Sequence, residues 1–279
     1  MTTQFRSVED YRSSSAILWG KHAVVFGAGG SIGAAVAKEF AAEGAEVFLA
    51  GRTKSSLEEV ARQITTGGGR AHAAVIDALD DAAVTEYVDG IVKHTGSINI
   101  VFNAVGPLAK EYGNGKNAVD LAIEEFMVPL TTVVKSQFIT ARAAARHMVK
   151  QHSGVIIFLT GAPARTHVQG TSAIGAAFGA IESLTRNLAL DFSPSGVRVV
   201  CLRSTAMPDS RTIQQRLDAM VSGVSITKDQ ATAALANLTL LKVSPWVSDT
   251  AKAAAFLASD HARMMTGTVL NSSGGAVAD

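Results

Sequence analysis

The hydrophobic residues of the chain follow two periods that alternate along it. Short, nearly continuous runs of β-branched and aliphatic residues predict strands, and alanine-rich segments with apolar residues near i, i+3 and i+4 predict helices. The predicted strands are 22–27, 45–51, 71–77, 98–103, 154–160, 197–203 and 266–271. The predicted helices are 31–44, 56–64, 81–94, 118–150, 171–192 and 249–258.

A strand followed by a helix, repeated about six times, is typical of a parallel sheet that helices cover on both faces. The fold class predicted from this pattern is α/β, a Rossmann-type doubly wound parallel sheet of about seven strands with right-handed crossovers, in a single domain. Residues 1–17 are interpreted as an N-terminal extension and residues 18–279 as the domain. A segment at about 207–243 is inserted before the last helix and strand, where long insertions often form lids over a substrate.

Composition narrows the range of partners. Hydrophobic residues make up 47% of the 279 residues, and 25 Lys and Arg balance 24 Asp and Glu, so no basic face is expected for nucleic acid or an anionic membrane. No apolar run reaches the roughly 18 residues of a membrane span. The N-terminus has no apolar core of the kind that signal peptides carry, so a cytoplasmic location is expected. A small-molecule substrate is the expected partner, and no metal ion is expected.

A glycine-rich loop, "GAGGSIG", joins the first predicted strand to the first predicted helix. Glycines permit a tight turn there and let backbone amides approach a pyrophosphate at the positive end of the helix. The candidate cofactor-binding residues in this loop are Gly27, Gly30, Ser31, Ile32 and Gly33.

The end of the second predicted strand favours one dinucleotide over the other. An NAD site has a carboxylate there for the ribose 2′-hydroxyl, whereas this strand ends at Ala50 and Gly51. Arg52 and Thr53 follow, and a guanidinium in a pocket without a carboxylate suits a 2′-phosphate through charge-assisted hydrogen bonds. The predicted cofactor is NADP(H).

The same loop also matches a competing motif. Residues 29–33 read G-x-S-x-G, the nucleophile elbow of serine hydrolases, in which Ser31 would be the nucleophile. In that fold the elbow follows several strands and precedes an acid and a histidine, whereas here it follows the first strand. His152, His167 and His261 do not complete a convincing triad, so a serine hydrolase is the less favoured alternative.

With this loop, these strands and their order, the chain from Leu18 to about Ala278 resembles the short-chain dehydrogenase/reductase family. "LWGKHAVVFGAGGSIG" resembles the family's opening strand and glycine loop. "VIDALDD" resembles the segment whose aspartate, here Asp77, meets the adenine, and "IVFNAVG" resembles the strand end that lines the cofactor, here Asn103 and Ala104. The resemblance implies a nicotinamide-dependent oxidoreductase, active as a homodimer or homotetramer through the two longest helices.

The residues that carry the chemistry in that family are replaced in this chain. The family uses a serine after the fifth strand to hold the substrate oxygen and a tyrosine, four residues before a lysine, to transfer the proton. An asparagine in the preceding helix anchors a water relay. The resemblance places Gly161 at the serine, Ile174 at the tyrosine, Phe178 at the lysine and Val133 at the asparagine.

No other register of the helix restores the tyrosine and lysine. Tyr11, Tyr87 and Tyr112 all precede it, and no lysine lies between Lys150 and Lys228. Because a missing general acid typically costs about 10² to 10⁴ in rate, plain ketone or alcohol chemistry is disfavoured. A conjugated acceptor such as an enone or enoyl group depends less on a general acid, since the charge that hydride addition creates is delocalised in an enolate.

The polar candidates that remain near the expected site are Thr160 at the end of the fifth strand and His167 in the following loop. Thr160 is placed to hydrogen-bond a substrate oxygen, and the imidazole of His167 is a side chain of the kind that serves as a general acid or base. The favoured hypothesis is an NADP(H)-dependent reductase with a non-standard active site. The alternative is a non-redox protein on the same scaffold that binds the cofactor as a sensor or structural subunit, or uses the vacated pocket as a lyase or cyclase.

Overall fold

A computed structural model of the chain describes residues 16–221 and 227–278. The first fifteen residues of the predicted N-terminal extension, and residues 222–226 of the predicted insertion, lie outside that part. Leu18 is fully buried, and its backbone N–H donates to the carbonyl of Glu43 at 2.9 Å. The chain therefore packs into the core from Leu18 onward.

Seven parallel strands form the sheet, in the order β3-β2-β1-β4-β5-β6-β7. This order and the all-parallel pairing confirm the predicted α/β doubly wound fold. The strands are β1 His22–Phe26, β2 Glu46–Gly51, β3 Arg70–Val75, β4 Ile100–Asn103, β5 Gly154–Gly161, β6 Val197–Ser204 and β7 Val269–Asn271.

Helices cover both faces of the sheet. Across the described residues they are α1 Ser31–Ala42, α2 Lys54–Thr66, α3 Asp81–Thr95, α4 Ile123–Pro129, α5 Lys135–Gln151, α6 Ser172–Phe192, α7 Arg211–Val221, α8 Lys228–Asn237 and α9 Val247–Ala258. None of these combines the length and apolarity needed to cross a bilayer.

The core lies in two layers because successive strand residues point to opposite faces of the sheet. Val24 and Phe26 of β1 pack in the layer beneath α3, α5 and α6, whereas Val25 packs in the layer beneath α1, α2 and α9. Both faces are covered, so the central strands need apolar residues at nearly every position. That requirement explains the continuous runs from which the strands were predicted.

The prediction of one uninterrupted helix over residues 118–150 was wrong. The helix begins at Ile123, ends as α4 at Pro129, passes through a π-helical turn at Leu130–Val134 and resumes as α5. Proline has no N–H for the helical ladder and its ring crowds the preceding turn, so the hydrogen bonds change register there. The π turn carries Val133 toward the carboxyl edge of the sheet.

The strand order reverses between β1 and β4, because β2 lies on one side of β1 and β4 on the other. At such a point the connections leave in opposite directions and open a crevice at the carboxyl ends of the strands. The loop Gly27–Gly30 and the segment after β4 form the two sides of that crevice.

Candidate active site

A cavity of 390 Å³ lies at the carboxyl edge of the sheet, at the reversal of strand order. The glycine loop and the first turn of α1 line one side, and the ends of β4, β5 and β6 with α6 line the other. Residues of the predicted insertion close over it, among them Met207, Arg216 and Leu238. The topology therefore brings the glycine loop, the ends of β4 to β6 and the insertion together at a single cavity.

The glycine loop has a shape that only glycine permits. Gly27 has a left-handed φ of +75°, and a Cβ there would lie 2.9 Å from the carbonyl carbon of Ala104. A Cβ on Gly33 would overlap the carbonyl oxygen of Gly27. Gly30 is the N-cap of α1, so the unpaired amides of the first helical turn face the cavity beside Ser31 and Ile32. This cradle fits the phosphates of a dinucleotide.

Ser31 is engaged by the inserted segment. Its hydroxyl oxygen accepts a hydrogen bond from the backbone N–H of Arg211, the first residue of α7, at 3.0 Å. No histidine lines the cavity within the described residues, so the structure brings no base to Ser31. The described ranges also hold no group of three or more His, Cys, Asp or Glu side chains arranged to bind a metal ion.

The residues predicted to select and hold the adenosine end lie beyond the cavity, at the carboxyl ends of β2 and β3. Arg52 is exposed directly after β2 and makes no hydrogen bond or ion pair within residues 16–221 and 227–278. Thr53 is the N-cap of α2, and its carbonyl accepts from Leu57 N at 3.2 Å. Asp77 follows β3, and its carboxylate accepts from Leu79 N at 3.0 Å. The arginine is thus free to bind a ligand at this edge.

Asn103, the last residue of β4, braces the cavity wall. Its side chain is 1% exposed, its Nδ2 donates to Thr140 Oγ1 at 3.0 Å, and its Oδ1 accepts from Val105 N at 2.8 Å. These bonds join β4 to α5 and fix the turn at Ala104, whose N–H donates to Phe26 O at 2.9 Å. The asparagine shapes the cavity by holding this turn.

The four positions that the family resemblance assigns to catalysis all line the cavity. Val133, Gly161, Ile174 and Phe178 come together from the π turn, the end of β5 and α6. A Cβ on Gly161 would lie 3.0 Å from the Phe178 ring, so the aromatic ring occupies the space that a longer side chain at 161 would need. Together they form an apolar wall.

Thr160 and His167, the candidates named for the residual chemistry, are not brought together. His167 is exposed and is absent from the residues that line the cavity. Thr160 lines the cavity, but it is 3% exposed, and its hydroxyl lies 3.5 Å from Glu182 Oε1 and 3.3 Å from Cys201 Sγ. The Thr160 hydroxyl is therefore directed to a polar group beneath the cavity.

That polar group is a buried ion pair between β6 and α6. Arg203 Nε donates to Glu182 Oε1 at 2.7 Å, and Nη2 donates to Oε2 at 3.0 Å. Both residues are at most 4% exposed, so water does not stabilise either charge and each charge is stabilised by the other. Burial raises the pKa of the neighbouring Cys201 thiol to about 12, which keeps the thiol neutral and excludes it as a nucleophile.

Several polar residues of the cavity wall were not found from the sequence, and three of them bear on the chemistry. Tyr112 comes from the loop after β4, Gln137 from α5 and Arg216 from α7. Gln137 is 1% exposed; its Nε2 donates to Leu159 O at 3.2 Å, and its Oε1 has no partner in the described part of the chain. Gln137 lies one helical turn after Val133, so helical spacing from Val133 is the signal that could have identified it.

Tyr112 and Arg216 had no comparable signal, because both lie on segments whose positions depend on the tertiary fold. Tyr112 is 7% exposed. Burial raises the pKa of its phenol, and the nearby Arg216 guanidinium acts in the opposite direction. The phenol is consequently protonated at neutral pH, and it lines the same cavity as the permanently charged Arg216 guanidinium.

Comparison with known proteins adds an independent observation. A family model described as enoyl-(acyl carrier protein) reductase matches residues 27–277. Versicolorin reductase of Emericella nidulans is 28% identical over 271 residues, which cover 97% of this chain and 98% of that protein. Gluconate 5-dehydrogenase of Gluconobacter oxydans is 32% identical over 187 residues, 65% of this chain and 69% of the relative.

Solved structures agree with these relatives. An NAD+-bound xylitol dehydrogenase superimposes with a TM-score of 0.84 at 26% identity, covering 92% of this chain and 99% of its own. A 7α-hydroxysteroid dehydrogenase complexed with NADH and 7-oxo glycochenodeoxycholic acid gives a TM-score of 0.81 at 26% identity, with coverage of 95% and 98%. The likeness extends over nearly the whole described chain.

The fit of Phe178 against Gly161 makes a testable prediction. Gly161→Ser should destabilise the protein by about 1–3 kcal/mol, because the added atoms press on the Phe178 ring. Phe178→Leu removes the ring edge, so the double variant should be more stable than the sum of the single changes predicts. Free energies of unfolding from urea denaturation measure this coupling.

Gly179→Ser on α6 is the control, since a Cβ there meets no atom within 4 Å. It should leave the free energy of unfolding nearly unchanged. Additive effects of Gly161→Ser and Phe178→Leu would show that the ring does not fill this space.

Proposed function

The chain belongs to the short-chain dehydrogenase/reductase family, and we propose that it is an NADP(H)-dependent reductase with a non-standard active site. Its proposed substrate is a conjugated acceptor, such as an enone or enoyl compound, or another activated acceptor. The observation that carries the proposal is one cavity in which the glycine loop is kept intact while the four family positions for catalysis are apolar.

The chain's own residues account for holding the cofactor. The glycine loop and first-turn amides of α1 would bind the pyrophosphate, and Arg52 would bind a 2′-phosphate at the end of β2. Asp77 and the turn at Ala104 would border the adenine and the nicotinamide ends. When bound, the reduced dinucleotide supplies a hydride.

The apolar wall supports the proposed class of acceptor. Ile174 and Phe178 offer no proton and no hydrogen bond, so a carbonyl oxygen against them would develop charge without help. A conjugated acceptor spreads that charge over several atoms and packs its planar carbon skeleton against the same wall.

A second function stays open for the same reason. A protein that binds the dinucleotide as a sensor or structural subunit, or a lyase or cyclase working in the cavity, would also have no need of the four family residues. The filling of the Gly161 position by Phe178 favours this alternative, because it removes space next to the expected reaction centre.

Cofactor choice is tested at Arg52. Arg52→Ala should raise the Kd for NADPH about 10- to 100-fold, since a charge-assisted contact to a 2′-phosphate is lost, and should leave the Kd for NADH unchanged. Fluorescence titration of the reduced cofactors gives both constants.

Arg62→Ala, on the helix α2 that follows Arg52 and paired with Glu59 at 2.7 Å, is the matched control and should bind both cofactors like the wild type. Equal weakening of NADPH and NADH by Arg52→Ala, or no weakening of either, would contradict the assignment of NADP(H).

Substrate class is tested by the oxidation of NADPH in the presence of enones, enoyl thioesters, imines and simple ketones. We expect turnover with a conjugated acceptor and rates lower by about 10² to 10⁴ with simple ketones, which need a stronger general acid. NADPH that binds while no acceptor oxidises it would support the non-redox alternative. Hydrolysis of an ester that is lost in Ser31→Ala would support the serine hydrolase.

Oligomerisation is the third part of the proposal. Phe138 on α5 is 40% exposed and Leu190 on α6 is 77% exposed, which supports a homodimer or homotetramer formed through these helices. Light scattering after size exclusion should give two or four times the mass of one chain, and Phe138→Glu with Leu190→Glu should reduce it.

Val75→Glu at the end of β3, on the far edge of the sheet, is the control and should leave the assembly intact. A wild-type mass of one chain, or an unchanged mass in the double variant, would contradict this interface.

A further inference from the structure

We propose that Tyr112 is the proton donor of this cavity and that Arg216 is the positioning residue that stabilises its phenolate. The inference rests on the proposed reductase function and names a phenol that burial makes a weak acid, which suffices for the delocalised charge of a conjugated acceptor but not for a simple ketone. It assigns the two chemical roles to residues outside α6 in the sequence: Tyr112 in the loop after β4 and Arg216 in the insertion.

The loop that carries Tyr112 is held in a fixed shape. Glu111 N donates to Leu108 O at 2.9 Å, and the Glu111 carboxylate accepts from Leu108 N at 2.6 Å. Gly115 N donates to Gly170 O at 2.8 Å, which joins the loop to the segment between β5 and α6. Tyr112 itself is buried among core side chains and lines the cavity. Its position is therefore set before any ligand binds.

The helix that carries Arg216 is anchored at its beginning. Arg211 N donates to Ser31 Oγ at 3.0 Å, and the Asp209 carboxylate accepts from Val247 N at 3.1 Å. These contacts join α7 to the glycine loop and to α9. From there the half-buried Arg216 lines the same cavity as Tyr112, and α7 contacts the turn Ala109–Glu111 directly before Tyr112.

Other groups near Tyr112 do not compete for either role. Lys110 and Glu111, its neighbours on the same turn, are exposed, and Glu111 already caps that turn. Across the cavity, Gln137 Nε2 donates to Leu159 O and the Thr160 hydroxyl lies against Glu182. Among the described residues that line the cavity, Tyr112 is the one phenol, and the cations are Arg211 and Arg216 of α7, of which Arg211 is exposed.

The proton balance follows from these positions. With a reduced dinucleotide bound, the β-carbon of the acceptor would receive a hydride, the Cα=Cβ π bond would shift to the bond between Cα and the carbonyl carbon, and the carbonyl π electrons would move to the oxygen. The phenolic O–H bond of Tyr112 would break as its proton forms the O–H bond of the enol. The enol would then become the saturated ketone by taking a solvent proton at the α-carbon and losing its O–H proton to solvent. The phenolate, stabilised by the Arg216 guanidinium, then takes a proton from solvent.

Titration of the phenol tests the pair without any cofactor. Burial already holds the pKa of Tyr87 far above its usual range, and Tyr11→Phe removes a tyrosine outside the described residues. In that background the ultraviolet absorbance of tyrosinate reports Tyr112. Because Arg216 favours the phenolate, Arg216→Met should raise the pKa of Tyr112, whereas Arg216→Lys should raise it less. An unchanged pKa in Arg216→Met would overturn the pairing.

Turnover tests the proton donor. Tyr112→Phe should lower kcat with an enone about 10²-fold or more while the Kd for NADPH stays at the wild-type value. Tyr87→Phe is the matched control, because the buried Tyr87 hydroxyl has no partner within the described residues and Tyr87 is not among the residues that line the cavity. It should keep wild-type kcat.

The possible failures are distinguishable. A Tyr112→Phe variant that folds, binds NADPH and turns over like the wild type would overturn this inference and leave the proposed function standing. A wild-type protein that reduces no acceptor would overturn the proposed function. Circular dichroism and the Kd for NADPH show whether Tyr112→Phe has kept its fold.

Discussion

The structure depends on a steric constraint at the first turn after β1. The carbonyl of Gly27 faces Gly33 so closely that no side chain fits between the loop and α1, and the left-handed Gly27 packs on the backbone at Ala104. This contact fixes the start of α1 against the ends of β1 and β4, where the strand order reverses. The crevice, the exposed helix amides and the cavity all follow from that arrangement. A side chain at Gly33 would push the glycine loop away from the start of α1.

The opposite wall of the cavity shows a second complementary fit. Gly161 is small where Phe178 is large, and Ile174 continues the same apolar surface one turn earlier. A larger side chain at Gly161 would therefore press on the Phe178 ring. We propose that Tyr112 donates the proton instead and that Arg216 positions it. The loop that carries Tyr112 is joined to Gly170, and the helix that carries Arg216 is joined to Ser31 at the glycine loop.

The fold was predictable because each central strand is buried on both faces and is marked by a continuous apolar run. The glycine loop was predictable because its backbone conformation requires glycine. The side-chain directions were not. Thr160 looked like a substrate contact, but its hydroxyl lies against the buried pair of Glu182 and Arg203, which are 21 residues apart in the chain. His167 and Tyr112 both lie in loops, and only the tertiary contacts of those loops place the first in solvent and the second in the cavity.

The central claim is that a cavity with an apolar wall at the family's catalytic positions still supports hydride transfer. Incubation of the protein with an enone and NADPH carrying two deuteriums at nicotinamide C4 tests it, with the product analysed by mass spectrometry and NMR. The account predicts one deuterium at the β-carbon of the saturated product and a solvent-derived hydrogen at the α-carbon. A product without deuterium, or bound NADPH that transfers no label to any conjugated acceptor, would contradict it.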